Sequence, residues 1–513
     1  MTNTPTPPLL NTPVSSPSVD AARQLLRQLD PIFEAQRNLP TFANSEDLDF
    51  LALSSINIED TLSAIKTLLP TLTPQSPIFA SFHDGQVHNP LGGGSYAFQK
   101  DLVGPILRAL IVDEGIERDH MGSHDGNFAP KVHLGDSLQV QVPTRPIIIH
   151  AGAQPNNSPH AGTLVVFCYA FALARKIRDR MQDAAGNISL NPLAVSVQIT
   201  FVDTAPVNGQ QTEISGIQYQ RSHRATPGAL ETHMGDYEQI LRLLSTWSNI
   251  PFSIDFQSDF FRSPAMPSIM RYIIENRILL GHQLSPKYGK LALRAACPHP
   301  GCGIAEKHGQ LNTYTYNYKI QADEQDPFPL FSSAEDAITF QCPHHGRHAI
   351  CISNPADIAR LEANAPIRNL IRSICQLMDT EKHHVRVTGA DYAGMYQEML
   401  LYRPLALWSA ATGLALGRTP HIAYAPLIVD WSGAKLSKSL YVREGGYEAM
   451  RMLGTEGLCS FAQLKMQFGG DEQKGLRRLW EEVKMWLEDP KKLFRTFSVE
   501  YLHRVIMQGQ KWM

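Results

Sequence analysis

Pro146-Ile147-Ile148-Ile149-His150-Ala151-Gly152, followed by Pro155-Asn156-Asn157-Ser158-Pro159-His160-Ala161-Gly162-Thr163, is the stretch on which the reading of this 513-residue chain turns. A short apolar run ending in glycine suits a buried parallel strand that enters a turn. Leu164 to Arg180 then carries helical spacing, and a second apolar run, Val195-Ser196-Val197-Gln198-Ile199-Thr200-Phe201-Val202-Asp203, ends on a carboxylate. Strand, turn, helix, strand opens a doubly wound α/β sheet, whose ligands sit at the carboxyl ends of the strands. That places His160 and Asp203 near one rim.

The second half repeats the theme. His384-Val385-Arg386-Val387-Thr388 reads as a strand and runs into Gly389-Ala390-Asp391, with a helix predicted over Met395 to Leu405. A last strand near Ala425 to Val429 delivers Gly433-Ala434-Lys435-Leu436-Ser437-Lys438-Ser439. The residue types suit phosphoryl chemistry. An imidazole at a helix N-terminus can donate to phosphoryl oxygens with help from the helix dipole. Two lysines on a mobile loop add positive charge as it closes. Singly, His160 reads as a capping residue and Lys435 with Lys438 as a solvated loop; together, each at the end of a strand, they point to a nucleotide site.

Composition bounds the rest. The chain is 43% hydrophobic and 19% charged, enough for a large core and two or three compact units. A net charge of -3 and a pI near 6.7 give no global basic field, so DNA is not an expected partner. No apolar run reaches the roughly 18 residues that span a bilayer, and the start lacks a secretory pattern, so a cytoplasmic location without membrane contact is expected. Seven cysteines argue for reduced thiols, some of them on a metal. Cys297-Pro298-His299-Pro300-Gly301-Cys302 and Cys342-Pro343-His344-His345 fit a tetrahedral structural zinc site through Cys297, Cys302, Cys342 and His345, with His344, His299, His348 and Cys351 as substitutes. Cys168 and Cys375 fall in apolar helical patterns and read as core.

Along the chain, residues 1–17 read as a disordered tail and 18–145 as a mostly helical region, containing a Gly-rich loop from His83 to Ser95 and an amphipathic helix from Leu102 to Glu114. Residues 146–290 form the first half of a Rossmann-like catalytic domain with a helical connection over Thr204 to Tyr288. Residues 291–355 form a zinc-knuckle insertion, 356–445 the second half with the lysine-serine loop, and 446–513 a helical C-terminal region. Ile358 to Leu377, Gly475 to Leu487 and Val499 to Met507 carry helical spacing.

Residues Pro155 to Thr163 and Lys435 to Ser439 resemble the HIGH and KMSKS signatures of class I aminoacyl-tRNA synthetases, and Gly389-Ala390-Asp391 resembles their ribose-binding G-x-D element. The cysteine knuckles between the halves make the class I lysyl-tRNA synthetases the nearest in pattern, over roughly residues 146 to 445. The resemblance implies an α/β Rossmann-like doubly wound parallel sheet of class I type and a possible use of ATP. It implies catalytic roles for His160, Thr163, Lys435 and Lys438, and aminoacyl-adenosine contacts from Pro155, Asn156, His160, Gly162, Gly389, Asp391, Ser437 and Ser439. Amino acids and aminoacyl-tRNAs are the implied partners. The segment after Ser439 is short for a large anticodon-binding module, and Asp203 lacks the acid-rich sequence that follows it in the lysyl enzymes. In these respects the chain is similar to the fungal arginine-containing cyclodipeptide synthases, which join arginine and a second amino acid from arginyl-tRNA and another aminoacyl-tRNA into a diketopiperazine. Acids such as Asp203, Asp255 or Asp391 are then expected to meet an arginine guanidinium. Lys474 to Arg478 and Lys491 to Arg495 are candidate contacts to an acceptor stem. An ATP-dependent synthetase or ligase and a non-catalytic tRNA-binding relative are the alternatives.

Overall fold

The computed structural model describes residues 101–104, 106–107, 110–111, 142–185, 191, 193–315, 336–393, 404–405, 408, 420–436 and 445–508. In chain order the first part holds β1 (Ile147–Ala153), α1 (Ala161–Ala185), β2 (Val195–Phe201), β3 (Pro206–Ile214), β4 (Ile217–Ser222), α2 (Glu231–Ser248) and β5 (Phe252–Phe256). The middle holds α3 (Met266–Glu275), α4 (Arg277–Leu284), β6 (Leu293–Ala295), β7 (Ala305–Glu306), β8 (Thr313–Thr315), β9 (Ala337–Cys342), β10 (Gly346–Cys351) and β11 (Leu361–Ala363). The last part holds α5 (Ala365–Met378), β12 (His383–Gly389), β13 (His421–Ala425), β14 (Ile428–Val429), α6 (Gly446–Met452), α7 (Phe461–Gln467), α8 (Lys474–Glu488), β15 (Phe497–Ser498) and α9 (Val499–Gln508).

Five of these strands form one parallel sheet in the order β13-β12-β1-β2-β5. Numbered along the chain, its strands run 3-2-1-4-5 across the sheet, the order of a Rossmann-type doubly wound fold. The strand order reverses at β1, between β2 and β12. A crevice forms there because successive crossovers leave to opposite faces.

The two faces of this sheet differ sharply. Alternate residues Ile147, Ile149, Val195, Val197, Ile199, Val385, Val387 and Ala423 point into one core, shared with α1, α2, α8 and α9. α1 is the spine of this core, buried from Leu164 through Met181 along its inner side. The opposite face carries His150, Gln198, Thr200, His384, Arg386 and Thr388, and α5 covers it. α5 starts on an Asn364 cap that accepts the Ile367 N–H, with Pro366 in its first turn. Its Ile367, Leu370, Ile371, Ile374 and Leu377 enter a second core with α3, α4, Trp408 and Ile422. Yet Arg368, Asn369, Arg372, Ser373 and Gln376 are buried as well. A helix buried on all sides and polar on one lies between an apolar core and a polar sheet face.

Smaller sheets hang from the connection. β3 and β4 form a hairpin across Ser215 and Gly216, both at positive φ as a two-residue turn requires, and β4 pairs with β7. β8, β9 and β10 form an antiparallel sheet, β6 pairs with β11, and β14 pairs with β15.

β1, β2 and β12 match the predicted strands to within two residues. The helices predicted over Leu164 to Arg180, Gly475 to Leu487 and Val499 to Met507 are α1, α8 and α9. Three expectations change. Thr204 to Tyr288 is not wholly helical: it contains the β3–β4 hairpin and β5. The last parallel strand is His421–Ala425, while Ile428–Val429 leaves the sheet to pair with the C-terminal β15. Ile358 to Leu377 is broken by β11, which pairs with β6 before α5 begins. Of the predicted helix at Leu102 to Glu114, the described residues are helical from Val103 on, and Leu102, Val103, Ile106, Leu107 and Leu110 are buried in the α1 core. The tail over 1–17, the rest of 18–141 and most of Met395 to Leu405 lie outside the described residues.

Candidate functional site

The turn after β1 brings the first signature to the switch point. Phe461 N–H donates to Pro159 O at 2.7 Å, and Tyr237 Oη donates to the carbonyls of Gln154 and Asn157 at 3.1 and 3.2 Å, so the turn is held from both sides. Pro155 is buried within it. His160 precedes α1 and folds back over its first turn. Its Nδ1 accepts the Gly162 N–H at 3.0 Å, and its Nε2 lies 3.3 Å from Thr163 Oγ1. A Cβ on residue 162 would sit 2.9 Å from the His160 ring, so glycine here makes room for the imidazole. Burial, with the nearby Lys435 ammonium, lowers the His160 pKa to about 4. The ring is neutral at physiological pH and acts through hydrogen bonds.

The second half arrives from the neighbouring strand. β12 ends at Gly389, whose missing Cβ leaves room for the Asp391 carboxylate, 2.6 Å from where that Cβ would stand. Lys435 Nζ donates to Asp391 Oδ2 at 2.7 Å. The loop carrying Lys435 has a rigid root. Asp430 Oδ1 accepts from Ser432 N, Ser432 Oγ and Ala434 N at 2.7–2.9 Å, Gly433 sits at φ +79°, and Val429 and Lys435 form an antiparallel bridge. At the tip of that turn Trp431 is 81% exposed. Ser437, Lys438 and Ser439 lie outside the described residues.

Asn156, His160, Thr163, Gly389, Asp391 and Lys435 line one cavity of about 820 Å³. Asn156 is fixed by a short hydrogen bond to His223. Asp203 does not line this cavity. Its buried carboxylate accepts from Ser258 N at 3.0 Å and Ser258 Oγ at 2.5 Å, capping the short helix Gln257–Phe260, and burial raises its pKa. Asp255 sits on β5 behind the cavity floor and accepts from Gln198 Nε2 at 2.8 Å; burial raises its pKa too.

Sequence reading missed the cavity floor. Arg368, Asn369, Arg372, Arg386 and His150 line it from α5, β12 and β1. The available signal was charge inside apolar patterns: Arg386 between Val385 and Val387, and Arg368 and Arg372 one turn apart on a helix otherwise rich in Ile and Leu. His150 Nε2 lies 2.8 Å from His384 Nδ1, and His384 Nε2 lies 3.1 Å from Asp379 Oδ2. Burial, then His384, Arg372 and Arg386, hold His150 well below the ordinary imidazole pKa. With Asp379 accepting from Nε2–H of His384, the remaining Nδ1 accepts the Nε2–H of His150.

At the far end of the connection, Cys297, Cys302, Cys342 and His345 place their ligand atoms within 4.8 Å of one another. Cys302 Sγ and Cys342 Sγ are 3.7 Å apart, and His345 Nδ1 lies 3.5 and 3.6 Å from the sulfurs of Cys297 and Cys342. Metal–sulfur bonds of about 2.3 Å at tetrahedral angles give edges of about 3.7–3.8 Å. The four residues can therefore hold a metal ion. Burial pushes the Cys342 thiol up, but the backbone N–H groups of His344 and His345 together with the Cys297 and Cys302 side chains hold it below the usual value. Of the four substitutes, His348 Nε2 contacts Ala295 O and Cys351 contacts Ser353, while His299 stacks on the His345 ring and His344 meets that ring edge-on.

No protein-family model matches the chain, and no curated protein matches it. Solved structures similar to it include a glutamate-tRNA synthetase from Elizabethkingia anophelis, 14% identical with a TM-score of 0.25 over 59% of this chain and 53% of that one. Thermus thermophilus arginyl-tRNA synthetase is 11% identical with a TM-score of 0.26 over 72% and 65%. A putative arginyl-tRNA synthetase from Campylobacter jejuni is 10% identical with a TM-score of 0.22 over 71% and 86%. The chain thus spans about half the length of the first of these. No helix of the described residues is long and apolar enough to cross a membrane.

Proposed function

We propose that the protein is an enzyme of the class I synthetase type that binds an adenosine-ended substrate and transfers its aminoacyl group. One observation supports this above the others: His160 and Thr163 from the first half of the chain and Gly389, Asp391 and Lys435 from the second converge on one cavity at the strand-order reversal. In this reading the Asp391 carboxylate exchanges Lys435 for ribose hydroxyls. Lys435, joined by Lys438, then moves to the phosphoryl or ester oxygen that gains charge. His160, neutral and anchored at the N-terminus of α1, orients the substrate by hydrogen bonds. Pro155, Asn156, Gly162, Ser437 and Ser439 complete the aminoacyl-adenosine contacts. Zinc is the metal proposed for Cys297, Cys302, Cys342 and His345; a closed set of three thiolates and one imidazole suits a structural ion.

The proposed reaction is aminoacyl-tRNA-dependent cyclodipeptide synthesis, serving secondary metabolism. The α-amine of one aminoacyl group attacks the ester carbonyl of the other, whose tRNA 3′ oxygen leaves with the proton, and the free amine of the dipeptidyl ester then attacks the remaining ester carbonyl, closing the ring and releasing the second tRNA 3′ hydroxyl. Arginine as one of the two residues is supported by the sequence resemblance alone, since Asp203, Asp255 and Asp391 are all engaged with other groups. ATP-dependent activation of an amino acid is the second reading, and the lysine held at the cavity rim favours it. Purified protein given pre-charged tRNAs without ATP, and separately ATP with free amino acids, distinguishes them. Cyclic dipeptide in the first mixture supports synthesis from charged tRNA; amino-acid-dependent pyrophosphate exchange in the second, without dipeptide in the first, overturns it.

A further inference from the structure

His223, which follows β4 and is 4% exposed, stands between two oxygens. Its Nδ1 lies 3.2 Å from Ala229 O, and its Nε2 makes a short hydrogen bond with Asn156 Oδ1. A neutral imidazole donates from one nitrogen and accepts at the other, so only a doubly protonated ring satisfies both oxygens as they stand. The surroundings pull in opposite directions. Burial, the largest effect, lowers the His223 pKa; the Ala229 carbonyl and the Asp203 carboxylate raise it, and His233 on α2 lowers it. Arg224, the next residue, is paired with Glu362. The net shift is downward from the ordinary imidazole value of 6.5, so the ring is neutral at physiological pH.

A neutral ring is satisfied in one way. Nδ1–H donates to Ala229 O, and the Asn156 amide turns over so that its Nδ2–H donates to the bare Nε2. The other tautomer sets a ring lone pair against a carbonyl oxygen at 3.2 Å. The Ala229 carbonyl belongs to the backbone, whereas the Asn156 amide is free to turn about its own side-chain bonds, so Asn156 is the group that responds. It lines the cavity, as does Gln154, whose Oε1 lies 3.5 Å from Asn156 Nδ2. With the ring charged, Asn156 directs its N–H groups away from His223; with the ring neutral, it directs Oδ1 there instead.

We propose that His223 is a positioning residue of the cavity, and that its protonation state sets whether the Asn156 amide offers the substrate an acceptor, with the ring neutral, or a donor, with the ring charged. The acceptor form belongs to physiological pH, and it suits a substrate N–H group, such as the adenine amino group or the α-ammonium group of an aminoacyl-adenosine. The assignment rests on the aminoacyl-adenosine reading above.

Two measurements on the full chain test it. The first is the nitrogen NMR spectrum of the histidine rings and side-chain amides, with His223 assigned through His223→Gln and Asn156 through Asn156→Ala. At pH 7.5 the His223 proton is expected on Nδ1. As pH falls below the ordinary 6.5, the second nitrogen is expected to gain a proton in a step that also moves the Asn156 amide signals. A proton on Nε2 at pH 7.5, or Asn156 signals that ignore the step, overturns the proposal. The second is calorimetric titration with arginyl- and leucyl-sulfamoyl adenosine between pH 7 and pH 5. Affinity is expected to fall about 5-fold or more as the ring charges, the usual worth of one hydrogen bond. His223→Gln keeps an amide at the position but cannot titrate, and it is expected to remove that fall; so is Asn156→Ala, which serves alone if the buried substitution does not fold. A fall that survives in the variants overturns the proposal. If neither compound binds at any pH, the aminoacyl-adenosine reading falls, and the NMR spectrum still decides whether His223 turns Asn156.

Discussion

At the scale of single residues, the site is poised by two contacts. Lys435 and Asp391 neutralise each other across the cavity rim, and each holds the other in place. Lys435→Ala is expected to lower kcat about 10²–10³-fold, the usual consequence of deleting one donor to developing charge, with little change in melting temperature because the pair is partly exposed. Steady-state kinetics beside a thermal melt checks this. His160 gives a pH signature. Its folded pKa is lowered to about 4, below the ordinary value of about 6.5, so between those pH values the unfolded chain binds more protons. Stability is therefore full above pH 6.5 and falls as pH drops toward 4, by up to about 3 kcal/mol from this half-buried group. His160→Gln is expected to flatten that slope in urea titrations between pH 7 and pH 4. It also loses the capping contact at Gly162, so its stability at pH 7 falls by about 1 kcal/mol.

At the scale of elements, two knots tie the pieces of the connection to one another. Glu362 on β11, 1% exposed, accepts from Ser222 Oγ at 2.6 Å and Arg224 Nε at 3.0 Å, and faces Arg294 at 3.7 Å. It ties the β3–β4 hairpin to β6 and β11. Glu362→Gln removes the carboxylate that Arg224 and Arg294 share, leaving Arg294 with Glu306, and is expected to cost about 3–5 kcal/mol, read from the midpoint of urea unfolding. The second is the cluster of Cys297, Cys302, Cys342 and His345. One metal ion per chain is expected in purified protein, and Cys342→Ser is expected to abolish it; elemental analysis decides. The strands nearest the signatures were legible because Ile147-Ile148-Ile149 and Val195 to Phe201 are apolar runs of strand length. The hairpin was not, because Asn208-Gly209-Gln210-Gln211 has no apolar alternation and its order comes from pairing with β4. β13 was displaced because His421 to Val429 is nearly continuous in apolar character, and only the partners, β12 for one piece and β15 for the other, divide it.

Across the whole molecule, one sheet is made from strands that are remote in the chain, and a ligand in its crevice touches both sets. Binding an adenosine compound at 100 times its dissociation constant is expected to stabilise the fold by about 2.7 kcal/mol, visible as a rise in melting temperature that Asp391→Asn reduces. That Cys297, Cys302, Cys342 and His345 come together, and that His160 and Lys435 reach one cavity, was legible from spacing along the chain. The polar sheet face was not: Arg386 in a strand and Arg372 in a helix acquire meaning only when the fold lays one against the other. The exposed indole of Trp431 has a practical side. Trp408, Trp480 and Trp486 are buried, while Trp431 stands in water four residues before Lys435. Emission from this side chain, and its quenching by acrylamide, offers a label-free optical readout of substrate arrival in stopped-flow experiments.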